Sequence, residues 1–254
     1  MSISGFTYVH NALESGYPIV EAVCAVNPFV DEMVVVDMQS TDGTLEMLHK
    51  MAGVGYIDRI VPGVWQPGGA GACLLQNYVL NRQCAGDIVW HFEADEVYSE
   101  TLVEEILSGI TRGWDNIAVW RLQVEQNFQR IRWYPTKVHR IFPKASMTKD
   151  GETTSYHTAG KPLHVIGPEF GFLWDVTNCF RDNWFSRVRK NAELWGTGLH
   201  YMAVPEHCIQ PVQLDTFQAE QLMGGVHWVW GTSPLDLPKI LKPLVGTTKY
   251  RVEL

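Results

Sequence analysis

Apolar and polar positions alternate in two rhythms along the first half of the chain. Residues 3–9 read as a short strand, and residues 13–26 follow with helical spacing, ending before Asn27-Pro28. Residues 32–37, Glu-Met-Val-Val-Val-Asp, form an apolar run bounded by acids, which suits a strand buried on both faces. Gln39-Ser40-Thr41-Asp42-Gly43-Thr44 then offers several N-cap residues, and a helix pattern follows with Leu45, Leu48 and Met51 on one side. Residues 56–61 predict a third strand, residues 62–71 a loop with four Gly and two Pro, and residues 72–83 a helix. A fourth strand over 87–92 ends on Glu93-Ala94-Asp95-Glu96, and a helix over 99–110 carries Leu102, Ile106 and Ile110 on one face.

Strands alternating with helices predict a mainly parallel sheet covered on both sides. Ligands of such sheets bind outside the carboxyl ends of the strands. Asp37 and Glu93-Ala94-Asp95 both fall at that end, so the expected topology brings two acidic features, distant in sequence, to one rim.

The second half has a different pattern. Residues 117–126 and 130–142 predict a pair of β segments, 144–160 a polar loop, and 182–195 an amphipathic helix with Phe185, Val188, Ala192 and Trp195 on one stripe. Trp228-Val229-Trp230 reads as a strand or an aromatic lid. No repeat, low-complexity tract or linker interrupts the chain, and a single domain over 1–254 is expected, with halves at 1–115 and 116–254.

Composition removes several classes. The formal net charge of −8 argues against nucleic acid as the main partner, because binders of phosphate backbones carry a basic face. It does not argue against a small phosphate ligand, since one bound cation reverses the sign of a local site. The five cysteines (24, 73, 84, 179 and 208) include no C-x-x-C pair and read as reduced thiols. With no basic-then-apolar N-terminal stretch and no apolar run approaching ~18–20 residues, a cytoplasmic protein without a transmembrane segment is expected.

Acid-x-acid triplets are common, and most are solvated turns. At the end of a strand, Glu93 and Asp95 can instead turn toward one point, where Mg²⁺ or Mn²⁺ takes carboxylate oxygens together with substrate phosphates. Taken together, the strand Val34-Val35-Val36-Asp37 with Ser40-Thr41-Asp42-Gly43-Thr44, the pair Gln76-Asn77, and Asp87 through Glu96 resemble glycosyltransferase family 2 in order and spacing.

That resemblance implies an α/β fold of the GT-A type: a Rossmann-like, mainly parallel sheet with helices on both faces and a smaller C-terminal acceptor region. It implies a metal-dependent transfer of a sugar, of the hexosyl type, from a nucleotide-diphosphate sugar to a carbohydrate or glycoconjugate hydroxyl. A UDP sugar is the favoured donor. Asp37 would accept a hydrogen bond from the uracil N3–H. Val9, His10 and Asn11 would flank the base, and Gln76 or Asn77 would lie near the nucleotide. Asp95 would be the principal ligand of Mn²⁺ or Mg²⁺, and Glu93, where relatives usually have Asp, would face the ribose or the metal. Asp42 reads as structural, capping the following helix.

In the second half, Arg140-Ile141-Phe142 matches an Arg-Leu-Phe segment of relatives, and His157 aligns with a His that relatives follow by an acid, here Thr158. Three candidates compete for a catalytic base: Asp175, which could instead be a third metal ligand, Glu169, and His157, which could instead contact the diphosphate. An inverting transferase needs such a base within hydrogen-bond reach of the attacking hydroxyl. Trp174, Trp228 and Trp230 are candidates to line an acceptor groove. Two other readings stand beside this one. A nucleotidyltransferase on a similar scaffold would need a Gly-rich basic loop after the first strand, where Val9-His10-Asn11-Ala12 has none. A non-catalytic sugar-binding relative is the other.

Overall fold

The computed structural model describes residues 1–65, 84–125, 130–131, 136–144, 147–149, 156–158, 162–178, 237–244, 250 and 252. The expected helices over 72–83 and 182–195, and Trp228-Val229-Trp230, lie outside the described residues.

The first half alternates as the hydrophobic pattern predicts. β1 (Ile3–Val9) leads through α1 (Ala12–Ser15) and α2 (Ile19–Val26) to β2 (Glu32–Asp37). α3 (Thr44–Gly53), β3 (Arg59–Pro62), β4 (Ile88–His91), β5 (Glu96–Tyr98) and α4 (Glu100–Thr111) follow. The single helix expected over 13–26 is two helices. Gly16 turns left-handed at φ 70° and closes α1, and Pro18, with no amide hydrogen, stands before α2.

In the second half, β6 (Ile117–Glu125), β7 (Arg130–Ile131) and β8 (Thr136–Pro143) realise the expected β pair with a break in its second member. The polar loop expected over 144–160 contains a two-stranded ribbon, β9 (Met147–Lys149) against β10 (Tyr156–Thr158). β11 (His164–Val165) and β12 (Leu173–Asn178) complete the described strands.

The described strands form a sheet in the order β3-β2-β1-β4-β8-β6-β12-β5, with β7 and β11 also paired to β6. β3, β2, β1 and β4 are parallel neighbours; β8 is antiparallel to both β4 and β6; β12 is parallel to β6, and β5 antiparallel to β12. After β1 the chain adds β2 and β3 on one side, then returns to place β4 on the other. The crevice above β1 and β4 is therefore the switch point where such sheets bind ligands.

One sheet face carries Ile3, Val9, Met33, Val35, Ile88 and Trp90, and α2, α3 and α4 pack on it through residues such as Val23, Leu48 and Ile106. Each fully buried apolar side chain of this kind contributes about 1.5–3 kcal/mol. The opposite face presents Phe6, Val34, Val36, Val89 and Phe142, with Cys84 beside them. The expected cover of this second face, the helix over 72–83, is among the residues not described. Cys24 and Cys84 are free thiols, and burial, the largest cause for each, raises them to about 11 and about 12. No helix among the described residues is long and apolar enough to cross a membrane.

Candidate active site

At the carboxyl edge of the parallel strands, Val9, Asp37 and Pro62 stand in register on β1, β2 and β3. The loops after β1 and β2 are fastened to each other by side chains. Asn11, in the left-handed region at φ 47°, donates its amide to the Ser40 hydroxyl at 3.0 Å, and its side-chain oxygen accepts the Thr41 amide at 2.8 Å. The Thr44 hydroxyl accepts the amides of Ala12 at 2.9 Å and Leu13 at 3.3 Å, and the Asp42 carboxylate accepts those of Glu14 at 2.7 Å and Thr44 at 3.0 Å. Ser40, Asp42 and Thr44 thus satisfy four consecutive amides at the start of α1, groups that a helix leaves without internal partners. Asp42 also caps α3 as expected, one residue further out than a usual cap because Gly43, at φ 94°, occupies the N-cap position.

Asp37 sits inside this clamp at 5% exposure. Its Oδ2 accepts the Ser40 amide at 3.1 Å, whereas Oδ1 is buried with no hydrogen-bond partner among the described residues. A buried acceptor left in this state costs free energy unless a ligand donor reaches it. Beside it, His10 hydrogen-bonds through Nδ1 with the Met38 carbonyl at 2.7 Å, and its ring stacks on Trp65 with centroids 4.0 Å apart and planes 9° from parallel.

Two strand spacings away, about 10 Å across β1, β4 ends and the acidic turn begins. The turn is closed at both ends. The Glu96 amide donates to the Glu93 carbonyl at 3.0 Å, and the Glu93 amide donates to the Glu96 carboxylate at 3.0 Å. Arg140 of β8, 7% exposed, grips Glu96 with two bonds, Nε to Oε2 at 2.8 Å and a terminal nitrogen to Oε1 at 2.6 Å, and reaches Glu93 Oε1 at 2.9 Å. Arg121 of β6 bridges Glu96 at 3.7 Å and Asp175 at 3.8 Å. Burial, and then the like charge of Glu96, raise the Glu93 carboxyl above its ordinary range against the pull of Arg140, although 38% of its side-chain surface remains open. Burial alone would weaken the hold of Arg140 on its proton, but the charges of Glu96 and Glu93 outweigh it and raise the guanidinium further.

A family model described as glycosyl transferase family 2 matches residues 6–166, which span both the β1–β2 loop clamp and the acidic turn. The chain belongs to glycosyl transferase family 2. No curated protein matches it in sequence. Among solved structures, it is similar to TarS 1–349 of S. aureus, at 16% identity and a TM-score of 0.48, over 89% of this chain and 70% of that one. TarS 1–349 in complex with UDP-GlcNAc matches at 21% identity and a TM-score of 0.41, over 57% of this chain and 46% of that one. The mannosyltransferase PcManGT from Pyrobaculum calidifontis, in complex with GDP-Man and Mn2+, matches at 22% identity and a TM-score of 0.35, over 49% and 36%. The chain therefore spans under half the length of the first of these complexes' proteins and about a third of the second's.

In this family 2 chain, the predicted residues divide into two groups. Val9, His10, Asn11 and Asp37 come together at the carboxyl edge of β1 and β2, and Glu93, Asp95 and Asp175 come together around the acidic turn, where Asp175 pairs in register with Glu96. Asp95 is 9% exposed, and its carbonyl accepts the Val176 amide at 2.9 Å, which ties the turn to β12. Glu169 stands elsewhere, exposed on the turn Pro168–Phe170, whose neighbour Gly171 lies against Ser99 and Thr101 at the start of α4. His157 is on β10 of the separate ribbon, opposite Thr148. Gln76 lies outside the described residues. Trp174 is half-buried and packs against the apolar core.

Sequence patterns alone do not single out Glu96, Arg121 or Trp65, and they mark Arg140 only as part of an aligned segment. The available signal is an arginine inside an apolar strand run, Val119-Trp120-Arg121-Leu122 and Val138-His139-Arg140-Ile141, where a buried charge needs a partner.

Among the described residues, no group of three or more His, Cys, Asp and Glu is placed to hold a metal ion by itself. The donor set nevertheless fits a divalent cation shared with a ligand's phosphates. Glu93, Asp95, Glu96 and Asp175 bring four formal negative charges against two positive ones from Arg121 and Arg140. Asp95 would hold the cation, the role that the family resemblance implies for it, while Glu93 and Glu96 bond to Arg140.

Proposed function

We propose that this chain transfers a sugar from a nucleotide-diphosphate sugar, with a UDP sugar favoured, to the hydroxyl of a carbohydrate or glycoconjugate acceptor, using Mn²⁺ or Mg²⁺ at Asp95. The observation that carries this reading is the buried Oδ1 of Asp37 at the carboxyl edge, unpartnered among the described residues. An acceptor-only carboxylate oxygen there suits the N3–H of uracil. The His10–Trp65 stack beside it offers a flat aromatic wall, and the acidic turn lies about 10 Å away across β1, within reach of the diphosphate of a nucleotide whose base rests on Asp37. The cation supplies Lewis-acid neutralisation of the charge that builds on the departing diphosphate.

Asp175 is assigned the role of catalytic base, supported by its position opposite Glu96, the only one of the three sequence candidates beside the acidic turn among the described side chains. A cytoplasmic setting agrees with the free thiols of Cys24 and Cys84.

Calorimetric titration with UDP, GDP and CDP, with and without Mn²⁺, tests the reading, followed by release of UDP from UDP sugars. UDP binding that strengthens with Mn²⁺ and is lost in Asp95→Ala supports it. No metal-dependent binding of any nucleoside diphosphate would sink it. Pyrophosphate release from a nucleoside triphosphate and a sugar phosphate would replace it with nucleotidyl transfer.

A further inference from the structure

We propose that Arg140 is the positioning residue of the donor–cation site: it withdraws Glu93 from the cation and sets the backbone of the acidic turn, so that the cation falls to Asp95. This inference rests on the proposed function and assigns a division of labour within that site.

Glu96 is the fixed point of the turn. Its side chain has no exposed surface, and a carboxylate so placed is held only by a close countercharge with good geometry. Arg140 provides this with two bonds from its planar fork. The same carboxylate accepts the Glu93 amide, and the Glu96 amide returns a bond to the Glu93 carbonyl. The position of the Arg140 fork is therefore transmitted through Glu96 to the backbone on both sides of Ala94-Asp95.

The third contact of Arg140 decides the fate of Glu93. Its bond to Glu93 Oε1 at 2.9 Å draws that side chain toward β8. The Glu93 side chain bridges from the end of β4 to Arg140 on β8. Arg140 itself is placed by the sheet: its neighbours His139 and Ile141 pair with Ala118 and Ile117 of β6, and Ile141 also pairs with Trp90 of β4, the strand that leads into the turn. A lysine at this position keeps the charge but makes neither the paired bonds to Glu96 nor the simultaneous bond to Glu93.

The experiment compares the wild type with Arg140→Lys, Glu93→Gln and Asp95→Asn. Mn²⁺ binding in the presence of UDP is followed by electron paramagnetic resonance of the free ion, UDP affinity without metal by calorimetry, and fold retention by circular dichroism and thermal unfolding. For Arg140→Lys we expect a folded protein whose metal-free UDP affinity stays within about threefold of wild type, with the Mn²⁺ midpoint raised at least tenfold. For Glu93→Gln, whose side chain is partly open and so tolerates substitution, we expect the Mn²⁺ midpoint to stay within about threefold, whereas Asp95→Asn abolishes Mn²⁺ uptake.

Arg140→Lys folded with an unchanged Mn²⁺ midpoint overturns the inference while leaving the glycosyltransferase reading intact. So does Glu93→Gln losing Mn²⁺ as completely as Asp95→Asn, and this second arm decides the question even if Arg140→Lys does not fold. A wild type with no Mn²⁺-dependent UDP binding overturns both.

Discussion

Asp37→Asn is the substitution most directly decided by the geometry. In the folded protein Oδ2 accepts the Ser40 amide at 3.1 Å and Oδ1 stands buried without a partner among the described residues. An asparagine of the same shape has one acceptor and one donor end. If its oxygen keeps the Ser40 bond, its NH₂ faces the uracil N3–H, donor against donor. If it rotates, its NH₂ faces the Ser40 amide instead. Either way one charge-assisted hydrogen bond is lost, worth about 1.5–3 kcal/mol. At 1.4 kcal/mol per decade, UDP binding weakens roughly tenfold to 150-fold. Cytosine presents an acceptor at N3, which an NH₂ satisfies, so the same substitution shifts the preference of the site toward CDP. Calorimetric titration of both nucleotides with Mn²⁺, on wild type and a variant of matching circular dichroism, measures this. A folded variant with UDP affinity within about threefold of wild type and no change in the UDP-to-CDP ratio refutes the assignment of Asp37.

Asp42→Ala removes the acceptor for the amides of Glu14 and Thr44. At about 1 kcal/mol per lost cap, a total of about 2 kcal/mol and a fall in Tm of roughly 4–8 °C are expected by calorimetry, with UDP affinity reduced because the same clamp frames Asp37. Glu21, whose carboxylate accepts the Tyr250 hydroxyl at 2.7 Å, has its affinity for a proton raised, chiefly by burial and against the lowering effect of that hydroxyl. Because the folded-state value lies above the unfolded one, its stabilising contribution is complete below the unfolded range and is lost as pH rises through the folded value. Glu21→Gln should therefore gain stability relative to wild type as pH rises above about 4.5, read as a widening difference in urea midpoints; a difference that stays constant as pH rises contradicts the reasoning.

β1, β2, β4, α3 and α4 were legible because each is short-range in origin. Met33-Val34-Val35-Val36 is buried on both faces of β2, and a continuous apolar run is the mark of such a strand. Asp42 was legible for the same reason, since a cap bonds to amides within a few residues. The error at residues 13–26 was also local: Gly16 and Pro18 were present in the sequence, but the apolar spacing on either side of them fits one helix as well as two. β5, β11 and β12 left little pattern because they are short or paired far away, as Tyr98 is with Leu173.

Periodicity and caps act over a few residues, and parallel βαβ units place all carboxyl ends on one edge. Residue order therefore sufficed for the strands β1, β2 and β4, the helices α3 and α4, and the acids at strand ends. It did not suffice for how the acids at that edge differ from one another. Glu96 meets Arg140 across 44 positions, and Arg121 meets Asp175 across the β6–β12 pair. Those contacts follow from sheet register, which no local pattern encodes. They commit Glu93 and Glu96 to guanidinium groups, because buried carboxylates must find countercharge wherever the register supplies it.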